Sequence, residues 1–141
     1  MIHQRTSTVT GLLMSVAAVT LGVASYLHRQ GHIPLGFTVI RGESFYGASI
    51  PEAVIGFVLA AAAAVVLLAP ARARRAAVAA SSFAILGVAY GMSVTVASGR
   101  IADIVYHSAL MAVLLVTEVR LLRQGPEPPR MRGAASVAAR V

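Results

Sequence analysis

The chain has 141 residues, of which 57% are apolar and 12% charged, with a formal net charge of +7. A soluble domain carries roughly twice that charged fraction, and a mean hydropathy of +0.78 is too high for a surface kept wholly in water. These figures exclude a disordered chain, a nucleic-acid-binding arm on a small core and nearly every soluble enzyme fold. Cysteine is absent, which removes disulfide scaffolds, thiolate metal sites and cysteine nucleophiles. Tryptophan is absent too, so an interfacial aromatic belt falls to tyrosine. All 12 basic residues are arginine. Beside the richness in alanine, valine and glycine, this reads as a high-GC coding bias rather than as phosphate recognition.

Four apolar stretches of roughly 17–22 residues are each long enough to cross a hydrocarbon core of about 30 Å as a helix. They predict an all-α membrane protein with four transmembrane helices in an up-down bundle. The first span covers 8–27 and holds no charge. A signal peptide would start from His3 and Arg5 and be cleaved at Val23-Ala24-Ser25. The uncharged run exceeds the usual signal core of about 7–15 residues, so a retained helix is expected.

An outer loop, 28–51, follows. Within it Phe37-Thr38-Val39-Ile40 and Ser44-Phe45-Tyr46 flank Arg41-Gly42-Glu43, a pattern that predicts a small β-hairpin over the outer mouth of the bundle. The second span opens at Ser49-Ile50-Pro51-Glu52 and runs through 52–69. That corner matches a capping box with proline at the first helical position, a contribution of ~1 kcal/mol. The third span covers 76–97 and the fourth 101–122, with an uncharged centre from Ile104 to Thr117. Short links from Pro70 to Arg75 and from Ser98 to Arg100 make spans two, three and four antiparallel neighbours. Residues 1–124 thus form the bundle. Residues 125–141, with Pro126, Pro128 and Pro129, are predicted as a flexible Arg/Pro-rich tail.

Charge asymmetry gives the orientation. Arg5, Arg72, Arg74, Arg75, Arg120, Arg123, Arg130, Arg132 and Arg140 fall on one side, and only Arg29, Arg41 and Arg100 on the other. The positive-inside rule makes the first side cytoplasmic and places both termini inside a bacterial plasma membrane. The inner cluster of Arg72, Arg74, Arg75, Arg120 and Arg123 either fixes this topology alone or also holds anionic lipid head groups, at ~1 kcal/mol each. No basic face carries interleaved aromatics, so nucleic acid is not an expected partner.

Small residues recur where helices should touch. Gly87 and Gly91 make a GxxxG on the third span, extended by Ser81 and Ala84. Gly56, Ala60 and Ala64 line one face of the second, and Ala18 with Gly22 do so on the first. Such positions let backbones approach closely in lipid. They read as packing inside one bundle, with a homodimer face on the third span as the alternative.

Ionisable groups inside a membrane are costly and so mark candidate sites. Tyr26 and His28 end the first span, Glu52 opens the second, and Asp103, Tyr106 and His107 open the fourth. Antiparallel helices bring these six to one level, as a candidate polar pocket beneath the outer loop. Asp103 and His107 are four apart and share a helical face, so they could chelate one cation. With His28 and Glu52 they make a candidate site for a divalent metal, zinc, iron or copper rather than magnesium. No HExxH pattern and no haem or nucleotide motif accompanies them, and no residue is assigned as catalytic. The competing structural reading sets Asp103 against the helix dipole and Arg100, and His107 against Asp103 or a tyrosine. Glu52 either caps its helix or couples a proton or cation. Glu118, near the cytoplasmic end of the fourth span, is expected to pair with one of the surrounding arginines.

The phrases Ser25-Tyr26-Leu27-His28, Pro51-Glu52-Ala53-Val54-Ile55-Gly56 and Asp103-Ile104-Val105-Tyr106-His107 resemble a family of small four-helix integral membrane proteins of high-GC Gram-positive bacteria. The likeness covers the four spans and not the tail. It implies the fold and the membrane location and carries no activity with it. Small multidrug exporters share this length but have a glutamate in the first span and a tryptophan in the third, both missing here. Bundles similar to quinone-epoxide reductases need a CxxC, also missing.

The expected function is a non-enzymatic accessory or assembly subunit, or a binder of lipid or another hydrophobic ligand, with its polar pocket on the extracytoplasmic side. Membrane lipids, a larger membrane complex or a second copy are the expected partners. A metal-binding protein or membrane enzyme built on the His/Asp/Glu cluster is the second expectation, and a small proton-coupled transporter using Glu52 or Asp103 the third.

Overall fold

A computed structural model describes residues 2–34, 39–42 and 44–123. Its body is four helices, α1 (Ile2–Gln30), α2 (Tyr46–Leu68), α3 (Pro70–Ser98) and α4 (Ile101–Arg123). Each contains a stretch long and apolar enough to cross a membrane, which marks a multi-pass membrane protein. The predicted tail, 125–141, lies outside the described residues, as do Phe37, Thr38, Glu43 and the side chains of Arg5 and Arg72.

Three boundaries differ from expectation, each for a local reason. Helix α2 begins at Tyr46, so Ser49 and Glu52 lie inside it and form no capping box. Phe45 precedes the helix without a side-chain cap. The Ser49 hydroxyl instead donates to the Tyr46 carbonyl at 3.0 Å. Pro51 sits within the helix, where it forfeits the N–H that would meet the Gly47 carbonyl. Helix α3 begins at Pro70, where a missing N–H removes no helical bond. The expected Pro70–Arg75 link is therefore the start of α3, and Ala69 alone separates it from α2. At the far end Gly99 takes a left-handed conformation, φ 70°, open to glycine at little cost.

The third difference is in the outer loop. His32–Pro34 pairs antiparallel with Val39–Arg41, matching His32 to Arg41 and Pro34 to Val39. This is not the hairpin expected around Arg41-Gly42-Glu43. Arg41 belongs to the second paired segment, and Tyr46 is already helical, so no strand forms on Ser44-Phe45-Tyr46. The loop is tied to the end of α1 by Phe45 N–H donating to the His28 carbonyl at 2.7 Å and Gly42 N–H donating to Gly31 at 2.9 Å.

The core is built of Met14, Leu21, Leu59, Val88, Leu114 and Leu121, with alanines filling the space between them. Alanine and glycine at the crossings allow the close approach that substitutes, in lipid, for a hydrophobic driving force. Gly56 of α2 lies against the Ala18 carbonyl and Leu21 of α1, and Gly11 of α1 against Leu67. Gly87 of α3 faces Ile55 of α2, and Gly91 of α3 faces His107 of α4. Both members of the GxxxG are thus spent inside the bundle. A Cβ on Gly22, by contrast, would meet nothing within 4 Å among the described residues, although the Gly22 backbone nitrogen borders Gly56. Around this core, Leu12, Val16, Phe57, Phe83, Leu86 and Val105 are exposed, an apolar girdle suited to lipid.

Candidate functional site

One end of the bundle collects its ionisable groups. The last turn of α1 carries His28, the second turn of α2 Glu52, and the first turn of α4 Asp103. One turn earlier on α1, the Ser25 hydroxyl donates to the Ser49 carbonyl of α2 at 2.6 Å and fixes how the two helices meet. α1 and α2 run antiparallel, Gly11 lying against Leu67 and Ala18 against Gly56. His28 therefore sits one turn beyond Ser25 toward the loop and Glu52 one turn beyond Ser49 away from it, and the two side chains reach along the helices to bring His28 Nδ1 to Glu52 Oε2, also at 2.6 Å. Both side chains are nearly fully buried, at 8% and 6% exposure. The opposite ring nitrogen, Nε2, stands 3.5 Å from Asp103 Oδ1.

Asp103 is shared with Arg100, whose guanidinium lies 3.7 Å from Oδ2. Arg100 in turn covers the Phe45 ring at 4.5 Å, and Phe45 meets the His28 ring edge-on at 6.3 Å. The Phe45 ring covers one side of the ion cluster, and its low polarity strengthens each charge interaction there. An imidazolium at His28 donates through both nitrogens and brings the four groups to electrical neutrality. A neutral ring donates through only one.

Beside the cluster lies a cavity of about 890 Å³. Val23, Leu27 and Ile101 line it with apolar surface, and His28, Asp103, Tyr106, Arg41 and Arg100 add polar groups. Such a mixture, mostly apolar with a few convergent polar groups, is the usual form of a small-molecule site. The Tyr106 hydroxyl is buried with no hydrogen-bond partner among the described residues, as is Glu52 Oε1.

Four of the six residues expected in the polar pocket therefore gather: His28, Glu52, Asp103 and Tyr106. The other two do not. Tyr26 is 47% exposed and turns outward. His107 is buried, but its Nδ1–H donates to the Asp103 backbone carbonyl at 2.7 Å and its Nε2 faces Gly91. Asp103 and His107 thus share a helix turn without sharing a ligand direction, because histidine satisfies itself on the carbonyl four residues back. Tyr106 packs edge-on against the His107 ring at 4.8 Å. Among the described residues no group of three or more histidines and carboxylates is arranged to hold a metal ion. The expected Asp103, His107, His28 and Glu52 quartet is not assembled, since Glu52 and Asp103 take up the two nitrogens of His28 from opposite sides.

At the other end, Glu118 accepts a hydrogen bond from Ser82 of α3 at 3.0 Å, and among the described residues it makes no ion pair with an arginine. Arg74 reaches across to the end of α4, donating to the Leu121 and Leu122 carbonyls at 3.2 and 3.4 Å. Those carbonyls have no partner within their own helix, which is why the arginine is drawn there rather than to the carboxylate. Phe45, which stacks between Arg100 and His28, was not foreseeable from spacing or composition.

No protein-family model matches the chain, and no curated protein or solved structure is significantly similar to it.

Proposed function

We propose that this chain is a non-enzymatic integral membrane protein that holds a lipid or other amphipathic ligand, acting as an accessory or assembly subunit. Its helices run up and down through a bacterial plasma membrane, both termini are cytoplasmic, and the His28 end of the bundle is extracytoplasmic. The observation that carries the reading is the cavity of about 890 Å³, apolar along Val23, Leu27 and Ile101 and polar where His28, Asp103 and Tyr106 meet it. An apolar chain fits the first surface and a polar head the second.

Native mass spectrometry of protein extracted gently from its own membrane tests this. The expected spectrum shows the 14.6 kDa chain, or a multiple of it, with added lipid-sized mass. Ala102→Trp, a bulky change at an exposed residue lining the cavity, should abolish that mass while the protein stays folded. A bare chain, or an adduct indifferent to Ala102→Trp, overturns the reading.

A second reading, a small proton-coupled transporter, is supported by a different observation. Glu52, His28 and Asp103 form a chain from a buried carboxylate to the cavity wall, along which a proton can pass through the imidazole. Proteoliposomes loaded with a pH dye should then acidify more slowly with Glu52→Gln. Equal rates remove Glu52 as a coupling group.

A further inference from the structure

We propose that the cavity recognises a zwitterion: a primary ammonium seated against Asp103 and Tyr106, joined to an acidic group that lies toward Arg41. The inference rests on the ligand-binding reading above and names the chemistry of the ligand's head.

Asp103 and Tyr106 both line the cavity. The protein contacts of Asp103 are long, 3.5 Å to His28 and 3.7 Å to Arg100. A charge-assisted N–H···O⁻ bond is typically about 2.7–2.9 Å. The two oxygens of a carboxylate offer about four acceptor positions, so Asp103 retains capacity toward the cavity. The Tyr106 hydroxyl is buried without a partner among the described residues, a state that costs about 1–3 kcal/mol unless a ligand or water relieves it. A primary ammonium brings three N–H donors, enough for both oxygens and a third neighbour. A quaternary ammonium brings none.

Charge agrees with this assignment. With the His28 ring neutral, Glu52 and Asp103 outnumber Arg100 and leave one net negative charge at this wall of the cavity. Arg100 is already committed to Asp103 and to the Phe45 ring. A lone anion at this wall would meet carboxylates, whereas an anion carried alongside the ammonium can extend to Arg41, which is exposed and lines the cavity. Phosphate and carboxylate both satisfy Arg41, so the head can belong to a phospholipid or to a free zwitterion.

The test presents the full chain in detergent with equal amounts of phosphatidylethanolamine, phosphatidylcholine and phosphatidylglycerol of identical acyl chains. Retention of each is read by native mass spectrometry. Phosphatidylethanolamine should be retained about tenfold over the other two, the scale of one charge-assisted hydrogen bond. Asp103→Asn should erase that preference. Arg41→Gln should lower retention of all three, since each carries phosphate. A parallel arm adds soluble phosphoethanolamine: displacement of bound lipid by the soluble head identifies a free zwitterion as ligand, and resistance to it identifies the lipid. Equal retention of the three lipids, or preference for phosphatidylglycerol, overturns the zwitterion while leaving a lipid-binding cavity intact. Absence of any adduct sensitive to Ala102→Trp removes both. The comparison of head groups on the unaltered protein decides the matter even where Asp103→Asn fails to fold.

Discussion

His28 of α1 and Glu52 of α2 meet nitrogen to oxygen at 2.6 Å, both almost wholly buried. Two polar groups removed from water are retained only where the geometry between them is good, since each pays several kcal/mol of desolvation. The Ser25–Ser49 bond ties the same two helices together beside the pair. The same His28 ring then presents its other nitrogen to Asp103 of α4, so one imidazole draws three helices together.

Removing one side of this pair leaves the other buried and unmatched. Glu52→Ala should therefore lower stability by about 3 kcal/mol or more, read as the loss of monodisperse protein on heating in detergent. Replacing both groups with apolar residues, as in His28→Leu with Glu52→Leu, should recover much of that loss. A double variant no better than the single one would show that the pair is not the source of the effect.

Gly87 and Gly91 make a sharper test of packing. A methyl group at Gly87 would fall 2.4 Å from Ile55 Cδ1, so Gly87→Ala should cost about 1–3 kcal/mol through overpacking. Ile55→Val removes the clashing atom and should restore most of the stability in the double variant. Gly22→Ala, where nothing lies within 4 Å, should be neutral. The three thermal midpoints, measured side by side, check the assignment of the GxxxG to the interior of one bundle.

Arg74 holds the end of α4 through the Leu121 and Leu122 carbonyls. Arg74→Ala should free those carbonyls and cost about 1 kcal/mol. Hydrogen–deuterium exchange should speed up in the last turn of α4 and leave its first turns unchanged. Uniform acceleration along α4 would mean that Arg74 acts on the whole helix instead.

The absence of native cysteine makes orientation directly measurable. A single cysteine at exposed Ser44 should react with a membrane-impermeant maleimide in intact cells, and one at exposed Arg75 only after permeabilisation. The reverse pattern would invert the topology.

The spans themselves were legible in the sequence because hydrophobic length is a direct measure of membrane crossing. So was the gathering of His28, Glu52 and Asp103, since helix ends on one side of an antiparallel bundle share a level. What failed was reading local motifs in isolation. Ser49-Ile50-Pro51-Glu52 has the letters of a capping box, but α1 supplies partners for Ser49 and Glu52, and α2 extends past them to Tyr46. The Asp103/His107 spacing does put both on one face, yet an imidazole can reach the carbonyl four residues back within its own helix, and that bond turns it away from its supposed co-ligand. Glu118 accepts from Ser82, and Arg74, one of its expected partners, is taken up by the end of α4, while the side chain of Arg72 lies outside the described residues. In each case a tertiary or backbone partner, invisible in spacing, outcompeted the local one.

The arrangement of the His28 clamp also sets an order of events during synthesis. Its first two members lie on α1 and α2, which leave the ribosome consecutively, and Asp103 follows only with α4. The opening pair of helices can enter the bilayer with His28 and Glu52 already matched to each other, so neither has to wait in lipid for a distant partner. The last helix arrives to find a ring nitrogen still facing outward, and Asp103 closes the bundle on it.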